Sequence, residues 1–451
     1  MPSRRWLLVT AATALAGCTS APQPGTQSTP QETADSKAIQ TAQKGPTEPD
    51  RQPPTGAAIQ WRYETNGEIH DPPAIHDQQV IVAGGQNDRS TPPRDGSYVE
   101  PKSSQNLYAL SLNGNENWRY EATAGVFDPT PVDGAVYAVT GWDMGLGGID
   151  NRLIRIEDGE KQWETSPVDG WLEILATADD TAFTGTGDDE RGASGESLFA
   201  HAADGSKRWQ REAGDASRGL VHNQSLYVPF AGGSQSAAFD ITTGDMQWER
   251  SDGPVGDEFQ VFDDIFYFHT DEQDDNGDYP LLAVDAQEGT EHWRYASAGG
   301  DEGPFVPTGA TADGDTVYGT EYGGLLFAVD ADTGTEQWRY TIDAETREDP
   351  AIVAGTVYVS ASDGTIHAVD AATGESRWTK SVTGIPRGVH ATQDGVITWT
   401  MGKSQPGLHA FDLEGNELWS FEYQGRLTQP TFEGMRAYVA TRSGYVLCLG
   451  A

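Results

Sequence analysis

Positive charge is scarce in this chain of 451 residues, which sets 29 Lys and Arg against 69 Asp and Glu, with only seven Lys. A net charge of −40 excludes a nucleic-acid partner, which needs a basic surface to displace counterions. It also disfavours docking on an anionic lipid surface. Cysteine is nearly absent: Cys18 and Cys448 are the only two, too few for a disulfide framework. The longest apolar run is about ten residues, short of the ~20 that a membrane-spanning helix needs. Several chemical signatures are missing as well. There is no Cys-x-x-Cys-His haem attachment, no His-Glu-x-x-His zinc spacing, no P-loop and no Gly-x-Ser-x-Gly elbow. The carboxylates are spread along the whole chain, a composition suited to a solvent whose salt screens self-repulsion. A halophilic source is the expectation.

The first residues read as an address. Arg4-Arg5 precede the apolar stretch Trp6–Leu15, and Leu15-Ala16-Gly17-Cys18 follows. The order matches a twin-arginine export signal over residues 1–18 that ends in a lipobox. Cys18 is then the lipidated N-terminus of the mature protein, which places it at the outer face of the cytoplasmic membrane. Two acyl chains hold firmly where one does not. Residues 19–57 hold seven Pro, many Gln, Thr and Ser, and no aromatic residue. Such a segment cannot bury enough apolar surface to offset its chain entropy, so a disordered tether is expected. Its root-mean-square reach is roughly 35 Å.

What the remainder has in abundance is tryptophan at a fixed interval. Trp61, Trp118, Trp163, Trp209, Trp248, Trp293, Trp338, Trp378 and Trp419 are spaced by 39 to 57 residues. A period of ~40–50 residues with strand-like content predicts a β-propeller. The unit after Trp338 contains four short β-rich stretches, Pro350–Val353, Thr356–Ser360, Thr365–Asp370 and Ser376–Thr379. Ala354-Gly355 and Asp363-Gly364 join them as tight turns. In Asp370-Ala371-Ala372-Thr373-Gly374 the carboxylate can accept backbone N–H bonds while Gly takes the left-handed position. This turn recurs from Asp240, Asp285, Asp330 and Asp412, and the second strand recurs with an aromatic at Tyr137, Phe183, Tyr227, Tyr267, Tyr318, Tyr358 and Tyr438. A single four-stranded unit cannot bury both faces, so the recurring Trp is read as core between blades.

The repeated pattern Leu-Tyr-Ala-Leu/Val-Asp-Ala-x-Thr-Gly-x-x-x-Trp-Arg-Tyr resembles the PQQ-binding-like β-propeller repeat family over residues 58–451. That family includes the quinoprotein alcohol dehydrogenases and the propeller lipoprotein of the bacterial outer-membrane β-barrel assembly machine. The resemblance implies an all-β ring of four-stranded blades. Trp61 marks a fourth strand with nothing before it, and the chain ends on a third strand, Tyr445–Leu449. The N-terminal strand is therefore expected to complete the last blade. Nine units are counted, whereas the family norm is eight, so both ring sizes stand at this point. Cys448 aligns with Ala109, Ala328 and Ala368 and is read as a small buried filler.

In the family's dehydrogenases an adjacent cysteine pair, a stacked Trp, a calcium ion and an Asp base build the quinone site. This chain has no cysteine pair, so no catalytic residues are assigned, and neither PQQ nor Ca²⁺ is expected although both are family possibilities. The candidate binding positions are the entries to the innermost strands at the channel mouth: Asp71, Asp128, Glu173, Arg218, Glu258, Glu302, Asp349, His390 and Gln429. Converging carboxylates there suit an oxygen-liganded cation. The acidic run Asp271–Asp278 lacks the later bidentate Glu of a calcium loop, since Ala283 stands in its place, and reads as a solvated hairpin. The polar insertion Gly84–Ser104 is a candidate partner contact, and Asn223-Gln224-Ser225 is a glycosylation sequon. The expected function is a lipid-anchored surface scaffold that binds a protein or cell-envelope partner. A degenerate quinoprotein oxidoreductase and a sugar- or peptide-binding sensor are the alternatives.

Overall fold

The computed structural model describes residues 56–84, 105–122, 124–142, 149–168, 171–187, 197–216, 218–230, 235–270, 272–274, 277–296, 307–400 and 406–450. Cys18, the signal, nearly all of the tether, Glu302 and the body of the Gly84–Ser104 insertion lie outside them. The described residues form nine antiparallel sheets of four strands and no helix. Eight of the sheets run in chain order and are blades 1 to 8, whose innermost strands begin at Ala74, Gly125, Trp171, Leu220, Pro254, Pro307, Ala351 and Pro386. Blade 9 takes Thr431–Glu433, Arg436–Ala440 and Tyr445–Leu449 from the C-terminus and Ile59–Glu64 from the N-terminus. The count is nine, not eight, and the ring closes as the sequence implies.

Each blade solves the same packing problem. In the third strand a small residue lies between the aromatic of the second strand and the Trp of the fourth, as in Tyr318–Ala328–Trp338 and Tyr358–Ala368–Trp378. Because alanine leaves space, the two rings meet over it, with centroids 5.9 Å and 5.7 Å apart at inclined angles. Cys448 takes the alanine's place between Tyr438 and Trp61 and is buried. Blades 1, 2 and 8 are exceptions. In blades 1 and 8 Ile81 and Ile397 take the aromatic's place opposite Ala109 and Ala410, and in blade 2 the small residue is replaced. Arg155 stands between Tyr137 and Trp163, its guanidinium over the tyrosine ring at 5.9 Å and paired with Glu157.

The hydrophobic core is divided among the seams between blades. Nine apolar clusters are present among the described residues, one per seam. The seam between blades 6 and 7, for example, joins Tyr318, Leu326 and Trp338 to Val357, Val359 and Val369. Polar atoms tighten these seams. The Trp338 indole N–H donates to the Ala371 carbonyl at 2.9 Å, in the turn of the following blade. Trp61, Trp163, Trp209, Trp248, Trp293 and Trp378 do the same to Leu112, Ala203, Ile241, Ala286, Ala331 and Leu413. Tyr295 donates to Glu336 of the next blade at 2.6 Å, and Arg339 holds that carboxylate from the other side.

The turns that receive the indoles are built as their sequence suggests. Asp240 Oδ1 accepts the N–H groups of Thr242 and Thr243 at 2.9 and 2.8 Å. Asp370 pairs with Arg377 and accepts the Thr373 hydroxyl and the N–H groups of Thr373 and Ala372, which together draw its carboxyl down to about 2. The glycine closing such a turn is required twice over. Gly334 has φ +66°, and a Cβ there would stand 2.8 Å from the Trp293 ring. Gly314, with φ +58°, has open space around the same atom. Gly314→Ala should therefore cost only the left-handed backbone penalty of about 1–2 kcal/mol. Gly334→Ala also drives a methyl into the indole and should cost about 3 kcal/mol or more. Comparing the two urea midpoints isolates the packing contribution; equal midpoints would mean that the indole does not need the glycine.

Candidate functional site

The innermost strands line the central channel, and the chain enters all of them from one rim and leaves by hairpin turns at the other. Residues four positions before a strand's last residue mark the entry rim: Arg218 before His222, and Asp349 before Val353. Blades 6 and 8 carry Gly309 and Gly388 at this register. His390 is thus two residues further along its strand than sequence spacing suggests. It lies toward the hairpin rim, its ring stacked on Phe432 at 4.3 Å and Nε2 donating to the Gly434 carbonyl at 3.2 Å.

Several of the expected rim residues brace neighbouring blades. Asp71 Oδ2 accepts the backbone N–H of Asp128 at 3.3 Å, joining blades 1 and 2. Asp128 itself takes a left-handed φ of 54°. Glu173 lies opposite Gly185 in its blade, and Gln429 accepts from the Thr428 hydroxyl through its own carbonyl. Glu258 sits within the strand Pro254–Phe262. Among the described residues, Asp71 is taken up by a contact between blades and His390 lies toward the hairpin rim.

Asp349 makes the most elaborate seat. Its Oδ1 accepts the Ala310 N–H from blade 6 at 3.1 Å, and its Oδ2 accepts the Gln260 side-chain amide from blade 5 at 3.3 Å. The seat exists because residue 309 is glycine: a Cβ there would lie 2.4 Å from Asp349 Oδ1. Arg218 of blade 4 contributes positive charge and covers the Phe259 ring at 5.2 Å. Four successive blades thus meet around one carboxyl. Burial raises it to about 6, against the opposing pull of the Ala310 N–H, Arg218 and Gln260. Beside it a recess lined by Phe259, Gln260 and His269 has room for about one water. Burial holds the His269 imidazole neutral, its value pushed down to about 4.

The hairpin rim carries contacts that the sequence reading missed. His76 ends the innermost strand of blade 1 and reaches Asp133 of blade 2, Nε2 to Oδ1 at 3.1 Å. His222 ends that of blade 4 and reaches Asp264 of blade 5 at 2.7 Å. Their shared register, the last residue before a turn, was the available signal. Asn223 of the sequon lies in this turn and donates its amide to Asp264. On the opposite rim, among the described residues of the acidic run, the Asp278 N–H donates to Asp274 Oδ1 at 3.0 Å.

The Asp349 seat makes a prediction about pH. Between about 4, the ordinary carboxyl value, and 6, the folded protein retains a proton that the unfolded chain releases. This group's contribution to stability is therefore full below pH 4 and is lost as pH rises toward 6. Asp349→Asn lacks that dependence. The melting temperature of the wild type minus that of the variant should be more positive at pH 4.5 than at pH 7.5; a difference independent of pH would refute the raised value.

Comparison with known proteins gives the fold a lineage. A family model described as outer membrane protein assembly factor BamB matches residues 94–295 and 277–403. Among solved structures, the crystal structure of BamB from Moraxella catarrhalis superposes with a TM-score of 0.52 at 17% identity, over 72% of this chain and 96% of that one. The computationally designed Ika8 protein gives 0.51 at 14% identity, over 73% and 96%, and the C-terminal WD40 domain of Sif2 gives 0.50 at 12%, over 72% and 94%. No curated protein sequence matches. At these identities the structural likenesses speak for the fold alone, while the family model spans well over half of the chain. The chain belongs to the PQQ-like β-propeller family represented by the outer membrane protein assembly factor BamB.

Proposed function

We propose that the protein is a non-catalytic binding and assembly scaffold, exported through a twin-arginine signal and held on the outer face of the cytoplasmic membrane by lipid on Cys18. The observation that carries the reading is the use made of the channel's ionisable groups. Asp71 braces blade 2, and Asp349 gathers blades 4, 5 and 6. Side chains tied into the frame in this way rigidify a surface; they are not poised to exchange protons with a substrate.

The quinone chemistry of some family members finds no support in these residues. The one cysteine outside the signal, Cys448, is buried between Tyr438 and Trp61, and burial pushes its thiol up to about 11. A buried protonated thiol with no cysteine neighbour does not fit the vicinal pair of the dehydrogenases. Added quinone and Ca²⁺ should therefore give no dye-linked alcohol oxidation.

The partner is a protein or another component of the cell envelope, reached by a rigid ring on a tether of roughly 35 Å. A scaffold of this kind works by holding its ligand at a fixed distance from the membrane, where effective concentration replaces intrinsic affinity. Cys18→Ser should move the protein from the membrane fraction to the soluble fraction without lowering its melting temperature. Arg4→Lys with Arg5→Lys should leave the uncleaved precursor in the cytoplasm. Retention of Cys18→Ser in the membrane fraction would refute lipid anchoring.

A further inference from the structure

The two histidine contacts on the hairpin rim share a layout but differ in charge. At the seam of blades 4 and 5, His222 Nε2 faces Asp264, and Asn223 donates its side-chain amide to the same carboxylate. One carboxylate is met there by two donors. At the seam of blades 1 and 2, Asp77 replaces the asparagine. His76 Nε2 lies 3.1 Å from Asp133 Oδ1 and 3.4 Å from Asp77 Oδ2. Two carboxylates now face one imidazole nitrogen, and neither has a proton to give the other.

We propose that His76, Asp77 and Asp133 form a binding site for a divalent first-row transition-metal ion that bridges blades 1 and 2. The ligand atoms of all three lie within 4.8 Å of one another, and this is the one such group of three among the described residues. Metal–nitrogen and metal–oxygen bonds of about 2.0–2.2 Å place neighbouring donors of one shell about 3.0–3.5 Å apart. The two distances from Nε2 fall in that range. A tighter approach of the two carboxylates needs only side-chain rotation, which their exposure of 60% and 95% permits.

Donor type selects the metal. An imidazole with two carboxylates suits Zn²⁺ and its first-row neighbours, whereas Ca²⁺ and Mg²⁺ prefer oxygen throughout. Three protein ligands on an open rim leave the remaining positions to water, so affinity is modest and exchange with solvent is direct. The backbone supports the arrangement: Asp77 takes a left-handed φ of 47°, a conformation that asparagine also tolerates. Asp77→Asn therefore converts this seam into the arrangement already present at His222 without disturbing the turn.

Calorimetric titration of the full chain with ZnCl₂ at pH 7.5 in high salt tests the site. The wild type should show one equivalent binding more tightly than the weak background of surface carboxylates. Asp77→Asn should weaken that step at least tenfold and His76→Ala should abolish it, while CaCl₂ should produce no step that depends on His76. Superimposable zinc isotherms for the wild type and both variants would overturn the site, and would mean that His76 is only a hydrogen-bonding latch. Because Asp77→Asn preserves the turn, its result stands even if His76→Ala loosens the seam.

Discussion

One contact organises this protein: in seven of the nine blades the indole of the outer-strand Trp lies on the turn glycine of the following blade. Trp293 over Gly334, Trp338 over Gly374 and Trp209 over Gly244 are the same arrangement, with ring atoms where a Cβ would have to be. The indole N–H then reaches a carbonyl of that turn. From this contact follow the tryptophan period, the left-handed glycine and the Asp that folds the turn around it. The small third-strand residue follows too, because it lets the second-strand aromatic support the ring from behind. No blade is complete without its neighbour, so stability is a property of the seams.

The ring can close only if the contact is made across the chain ends, and both sides of blade 9 show how. Trp61, from the N-terminal strand, docks on Gly114 of blade 1 and donates to the Leu112 carbonyl at 2.7 Å. On the other side Trp419 of blade 8 packs against blade 9, where the N-terminal and C-terminal strands meet. Gly450 N–H donates to the Ala58 carbonyl at 2.9 Å, the Gln60 amide donates to the Gly450 carbonyl at 3.0 Å, and Ala58 and Ile59 join the cluster around Trp419. Blade 2 departs from the pattern at both of its partners. Its Asp158-Gly159 turn is short, and Arg155 occupies the place of the alanine.

Much of this was legible in the sequence because it is periodic. The nine-fold count, the closing strand, the Asp-led turns and the buried place of Cys448 all follow from one residue type recurring at one register. The channel was less legible. Its entry residues were picked by spacing from loops of unequal length, which moved His390 along its strand. Glu302 lies outside the described residues. The seat of Asp349 could not be read at all, since it joins Arg218, Gln260 and Gly309 from three other blades, and nothing in a local pattern reports which side chains a closed ring brings together. The histidine latches had a readable register but only two instances, too few to stand out from nine scattered histidines.

The acidity belongs to the same picture. Asp240, Asp330, Asp370 and Asp412 spend one face of the carboxylate on turn N–H or side-chain donors and present the rest to water, and their values are drawn down accordingly. Negative charge thus accumulates on turns that the fold needs for another reason. The central claim is that seven such indole contacts hold the seams of the ring and that the one made by Trp61 closes it. Hydrogen-exchange mass spectrometry of Trp61→Ala tests it most directly. Protection should fall first in Tyr445–Leu449 and in the Ser111–Asn115 turn, on the two sides of the seam, while the blades opposite keep theirs. Unchanged protection at both places would contradict the account.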